Sequence, residues 1–203
     1  MPTIEECIDF YKLELNPNEW TFEYDSGFKV ILNFPMGSLP HLLGVDKMEK
    51  YKLHAVRRKN NPNLRTVSKL CIKDIKKNII RDETIQSDPS RAEIIRRMEN
   101  FLMILDIIDS SETTHCHFNK NLVPCIIDAD FMLYNSENNL NLNLGLTDSD
   151  KKNLTCSSVL RVSPMTVFDE PEGDKYICNQ QIVTLKNVTV KSNETGMLVK
   201  TFT

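Results

Sequence analysis

Glycine is scarce in this chain, with six residues in 203, and none stands in a glycine-rich phosphate loop. That excludes a P-loop and argues against a dinucleotide-binding Rossmann unit, because both need glycine where the backbone approaches phosphate. No run approaches the roughly 18 apolar residues of a membrane-spanning helix. The HExxH, GxSxG and EF-hand patterns are absent as well. The six cysteines, Cys7, Cys71, Cys116, Cys125, Cys156 and Cys178, form no Cys-x-x-Cys pair and read as reduced thiols, mostly core filler. The opening run MPTIEECIDFYKLEL lacks the basic start and apolar core of a secretory signal, so the expectation is a cytoplasmic protein. On that expectation the Asn-x-Ser/Thr triplets at Asn153, Asn187 and Asn193 arise by chance. With 40% hydrophobic and 26% charged residues the chain is neither disordered nor collagen-like.

What is present is an uneven distribution of charge. The chain carries −3 overall, yet Lys47 to Arg81 holds twelve Lys or Arg against two acids, Glu49 and Asp74. That segment is +10, which leaves −13 on the remainder. A basic stripe on an acidic body is the footprint of a local polyanion site, whereas a solvated helix face would give the same run without any partner.

The hydrophobic pattern divides the chain in two. Thr3 and Glu6 form a capping box, and Ile4, Cys7, Ile8, Tyr11 and Leu15 recur at helical spacing until Asn16-Pro17-Asn18. Residues 20–34 alternate about Asp25-Ser26-Gly27 as a β-hairpin. Residues 36–55 read as a turn into a short helix, and RRKNNPNLR, 57–65, as a basic loop. A second helix is expected from Thr66 to Ile80. A third is expected to start at Asp88 (N-cap) and Pro89 and to bury Ile94, Met98, Phe101, Leu102, Leu105 and Ile108. Beyond Asp109 the runs THCHFN, PCIIDADFMLYN, LNLNLGL, VLRVSPMTVF and DKYICNQQIVTLKNVTV are strand-like, with SENN and DEPEG as hairpin loops. The tail SNETGMLVKTFT reads as a weak last strand or a frayed end. The expectation is one α+β domain over 1–203: a helical part, 1–110, packed on a β-meander, 111–190, with a short tail, 191–203.

Three constellations can carry chemistry. His115 and His117 share a strand face and, with Asp128 and Asp130, offer metal-ligand types; a solvent-facing edge strand accounts for both pairs without a metal. His41, in Ser38-Leu39-Pro40-His41-Leu42-Leu43-Gly44, lies just before the basic stripe. A histidine beside phosphate-binding cations suits general acid–base work, while a half-buried histidine bonding backbone at a turn is the structural alternative. His54 is the remaining histidine that could supply a second acid or base.

Leu39-Pro40-His41-Leu42-Leu43-Gly44-Val45-Asp46-Lys47 resembles the F/L-x-H-L-x-G-L-x-K block of a phage-associated nuclease-like family of the barnase–EndoU–colicin–RelE (BECR) superfamily. Four further blocks follow in the same order. Residues 127–134, IDADFMLY, are similar to I-x-A-D-Y-L-L-Y; Leu142 to Leu146 resembles L-x-L-G-L; Pro164 to Phe168 resembles P-x-[ST]-F-F; Tyr176 to Gln180 resembles Y-x-x-N-Q. The chain departs from the pattern at Thr166, where the family has serine, and at Val167-Phe168 in place of F-F. The resemblance implies N-terminal helices on a curved antiparallel sheet of four to five strands. It also implies metal-independent nuclease activity with no cofactor. Carried over by position, it nominates His41, Lys47, Tyr134, Thr166 and Gln180 as catalytic. The basic stripe adds Arg57, Arg58, Lys59, Arg65, Lys69 and Lys73 as nucleic-acid-binding.

Two functions from different classes fit. One is an endoribonuclease or toxin-like nuclease of phage or mobile-element origin that cleaves RNA by acid–base catalysis. The other is a non-catalytic module on the same fold that binds nucleic acid or a protein partner such as an inhibitor, to which the −13 remainder is suited. A metal enzyme built on His115, His117, Asp128 and Asp130 ranks last.

Overall fold

Thr3 and Glu6 close the expected capping box: Thr3 Oγ1 accepts from the Glu6 amide at 3.1 Å, and the Glu6 carboxylate accepts from the Thr3 amide at 2.7 Å. They start α1 (Ile4–Phe10), which runs into a π-turn over Tyr11–Leu15. The computed structural model describes residues 1–123, 127–136, 141–148, 159–170 and 173–202. Cys125, Asn153, Cys156, three of the four residues of the SENN loop and two of the five of the DEPEG loop therefore lie outside the described residues.

The hairpin forms as the alternation requires. β1 (Asn18–Tyr24) pairs with β2 (Lys29–Asn33), and Trp20, Phe22 and Tyr24 turn inward together. Between residues 36 and 60 lie α2 (Leu39–Leu43), a 3₁₀ turn (Val45–Lys47) and α3 (Glu49–Asn60). The basic loop expected over 57–65 is thus corrected for its first four residues. Arg57, Arg58 and Lys59 are good helix formers and continue α3; the chain leaves the helix at Asn61, which precedes Pro62 and is extended at φ −142°. α4 (Val67–Lys76) ends before Ile80 because Asn78 takes the left-handed position, φ 53°, and Ile79 N bonds back to Asp74 O. A short α5 (Asp82–Gln86) precedes α6 (Arg91–Leu102).

Asp88 is not the N-cap of α6; Ser90 is. The Asp88 carboxylate instead accepts from Ser90 N (2.9 Å) and, across the structure, from Glu49 N at the start of α3 (3.1 Å). The expected third helix is also broken at Met103. This lets α7 (Ile104–Ile108) bury Ile104, Ile107 and Ile108 against the strands Phe131–Asn135 and Leu142–Asp148.

The remaining strands are β3 (Thr114–His117), β4 (Phe131–Asn135), β5 (Leu142–Asp148), β6 (Val159–Asp169), β7 (Gln181–Val183), β8 (Leu185–Ser192) and β9 (Leu198–Phe202). Among the described residues they join the hairpin in one nine-stranded sheet ordered β7-β3-β4-β5-β6-β2-β1-β8-β9. The sheet is mixed and curved into a half-barrel, not an antiparallel sheet of four to five strands. The β3–β6 meander is as expected. What sequence periodicity does not reveal is that β6 pairs in parallel with the N-terminal hairpin through β2, or that β8 and β9 extend the other side. Curvature follows from connectivity: Thr184 alone links β7, at one edge, to β8, next to the opposite edge, so the sheet must bend round. Asp25 N donates to Thr184 O at 3.1 Å, one step beyond the β1–β8 ladder, and the Tyr24 hydroxyl of β1 meets His115 Nδ1 of β3 at 2.8 Å across the closure. The run DKYICNQQIVTLKNVTV is accordingly a turn through Gln180, then two strands meeting at a bend.

The main core fills the concave face and the space under the helices; α6 packs on α1, α2 and β6. A second, smaller core of Cys116, Phe118, Ala129 and Met132 sits on the other face, covered by Phe168, Tyr176 and Ile177. That cover explains why every residue of β4 is buried, where alternation predicted one solvent face.

Candidate active site

Leu39, Leu42 and Leu43 bury one face of α2 and leave His41 outside, its side chain 55% exposed. Gly44 ends the helix at φ 72°, a conformation that L side chains rarely adopt. The following 3₁₀ turn folds Asp46 back over the helix end. His41 Nδ1 and Asp46 Oδ2 meet at 2.8 Å, and the Asp46 side chain is only 8% exposed. With Nδ1 donating to the carboxylate, Nε2 is the ring nitrogen left for a further partner. Asp46 Oδ1 is buried and has no donor among the described residues.

α6 braces this turn. Arg97 donates from Nη1 to the His41 carbonyl at 3.1 Å and pairs with Glu93 at 3.1 Å. Its side chain lies over Gly44 so closely that a β-carbon there would stand 2.4 Å from Arg97 Cδ.

His41, Asp46 and Lys47 open onto a cavity of about 620 Å³, whose walls come from α3 and the start of α4. Lys47, Lys52, Arg58 and Lys59 line it, with Thr66 and Ser68 opposite. Lys52 donates to Ser90 Oγ at 2.9 Å, and Lys47 Nζ lies 4.0 Å from Asp46. Four cations against one paired carboxylate make this a concave positive site beside an imidazole with a free nitrogen, a suitable seat for a phosphodiester. A second cavity, of about 460 Å³ between α1, α4 and α5, has an isoleucine-rich floor and contains no histidine.

The structure brings together part of the sequence-based set: His41, Lys47, Arg58 and Lys59 all line the first cavity. Arg57, Arg65, Lys69 and Lys73 are exposed but do not line it. His54 Nε2 is occupied by the Arg65 carbonyl at 2.7 Å. Tyr134, Thr166 and Gln180 lie on or beside the sheet and do not line the cavity. Tyr134 donates to Asn141 Oδ1 at 2.9 Å, Thr166 packs on Gly145, and Gln180 clamps the Asn119 backbone through both amide atoms. Sequence reasoning missed Asp46, Lys52 and Arg97. Asp46 sat inside the quoted block and was readable as an acid returned to His41 by a left-handed glycine turn; Arg97, 56 residues away, had no local signal.

His115 and His117 are not on a solvent face. The curl of the sheet carries both into an aromatic cluster with Phe22, Tyr24, Phe28 and Phe131. His115 Nδ1 shares a 2.8 Å hydrogen bond with the Tyr24 hydroxyl, and burial pushes this imidazole down to about 3. Asp128 and Asp130 precede β4 and are not part of it: Asp128 pairs with Lys120, and Asp130 accepts from Thr147 and from the Asp148 amide. Among the described residues no group of three or more potential ligands could hold a metal ion, and no helix is long and apolar enough to cross a membrane.

The family model described as phage-Barnase-EndoU-ColicinE5/D-RelE like nuclease 4 matches residues 3–195. No curated protein and no solved structure matches the chain.

Proposed function

The chain belongs to the phage-Barnase-EndoU-ColicinE5/D-RelE like nuclease 4 family, and from that premise we propose that it is a metal-independent endoribonuclease whose reaction centre is the His41–Asp46 pair. The observation that carries this reading is the 2.8 Å contact between His41 Nδ1 and Asp46 at the mouth of a cavity lined by four cations. Asp46 fixes the imidazole so that Nε2 accepts the proton of a ribose 2′-hydroxyl. The 2′-oxygen then attacks the adjacent phosphorus, the bond to the 5′-oxygen breaks, and a cyclic phosphate and a 5′-hydroxyl end result. Lys47 and Arg58 neutralise the charge gathering on the phosphate, and Lys47, beside the pair, protonates the leaving oxygen. No step is assigned to Tyr134, Thr166 or Gln180.

The test is cleavage of labelled single-stranded RNA in EDTA by the protein and by His41→Ala. The expected result is EDTA-resistant cleavage that falls about 10²–10⁴-fold in the variant. Cleavage that persists undiminished in the variant would remove His41 from the mechanism. Salt-sensitive RNA binding by both proteins with cleavage by neither would point instead to a non-catalytic binding module.

A further inference from the structure

α4 begins at the reaction cavity, where Thr66 and Ser68 line the wall, and its far end reaches the second cavity through Ile75 and Lys76. Between them lies a row of lysines. At 100° per residue Lys69, Lys73 and Lys76 fall within about 60° of one another, and the row spans about 10 Å of helix axis. They stand on the face opposite the buried Cys71. All three are exposed, and none has an acid partner among the described residues. The single acid of α4, Asp74, is turned away from them: it accepts from Tyr51 (2.8 Å) and Lys50 (3.2 Å) of α3.

Like charges at i,i+3 and i,i+4 destabilise a helix, and ordinary solvated helix faces intersperse acids to offset this. Here the row is unrelieved and starts at the wall of the reaction cavity. At the far end two carboxylates without a cation partner among the described residues, Glu5 and Glu83, line the second cavity and oppose a further phosphate.

We propose that the Lys69–Lys73–Lys76 row is a track for the backbone of a single-stranded polynucleotide, holding two to three phosphates beyond the one seated in the cavity. The row's length spans about one to two phosphate-to-phosphate steps of an extended strand, which places two to three phosphates along it. The track rests on the cavity being the seat of the reacting phosphate; it makes the substrate an oligonucleotide, not a dinucleotide. Affinity rises with strand length until the track is filled and then levels off.

The test is binding, measured by fluorescence anisotropy, of uncleavable 2′-O-methyl oligouridylates of three and ten nucleotides across a salt series. The protein is compared with the triple variant Lys69→Gln, Lys73→Gln, Lys76→Gln. Each phosphate contact on a single strand contributes a slope of about 0.7 in log affinity against log salt. The ten-mer slope is therefore expected to fall by about 2 in the variant, while the three-mer slope holds. An unchanged ten-mer slope, an equal fall for both lengths, or no binding by the parent protein overturns the track. Removing like charges leaves the thermal midpoint at or above that of the parent, so lost binding cannot be ascribed to misfolding. Because no cleavage is read, a fall confined to the ten-mer sustains the track even where the EDTA assay has refuted the nuclease chemistry.

Discussion

Asp46 holds His41 with one oxygen and keeps the other buried without a donor among the described residues, an arrangement that costs stability. Asp46→Asn presents either an amide NH₂ or a weaker acceptor to Nδ1, and so releases the tautomer that leaves Nε2 basic. RNA cleavage is expected to fall about 10²–10⁴-fold, and the double variant with His41→Ala to be no slower than His41→Ala alone, because the two residues act as one unit. Single-turnover rates of the two single variants and the double variant check this; multiplicative losses would mean that Asp46 acts independently of His41.

Among the elements, α3 carries Lys52, Arg58 and Lys59, and so decides where the cavity's charge lies. Its N-terminus has no side-chain cap of its own. Asp88, 39 residues on, supplies an acceptor for Glu49 N and at the same time ties down Ser90 at the start of α6. Asp88→Ala is expected to cost about 1–2 kcal/mol, as the loss of a helix cap does, with RNA affinity reduced more than for a stability-matched variant on α1. Denaturant unfolding with anisotropy titration measures both. A stability loss below a few tenths of a kcal/mol would show that the two amides find other acceptors. The same element marks a limit of sequence reading: the helix was legible only as far as residue 55, since the eye takes Arg-Arg-Lys before Asn-Asn-Pro as loop, while the backbone follows propensity as far as the residue before proline.

At the scale of the molecule, the curl of the sheet buries His115, and burial lowers its pKa to about 3 from an ordinary value near 6.5. A histidine depressed in the fold gives stability that is complete above the unfolded value and is lost as pH falls towards the folded one, because only the unfolded chain takes up the proton. Between pH 6 and pH 5 the protein is therefore expected to lose about 1 kcal/mol more than His115→Gln, which keeps a polar partner for Tyr24 but does not titrate there. Urea unfolding at several pH values gives the two slopes. Equal slopes would mean that His115 is solvated or already paired in its charged form.

Much of this was local and so legible in the sequence. The capping box at Thr3, the hairpin turning at Gly27 and the meander from β3 to β6 follow from spacing over a few residues. The charge asymmetry of residues 47–81 is likewise a property of the chain itself and limits the partner to a polyanion if the stripe is used. Only the tertiary structure decided that nine strands form one curled sheet, because the parallel β2–β6 pairing joins residues more than a hundred positions apart and no local periodicity encodes it. It also decided that His115 and His117 face an aromatic interior: strand alternation fixes which residues share a face, and only the closing of the sheet fixes which side is dry. The cavity is tertiary in the same sense, since α2, α3 and α4 meet there, with α6 bracing the turn from behind.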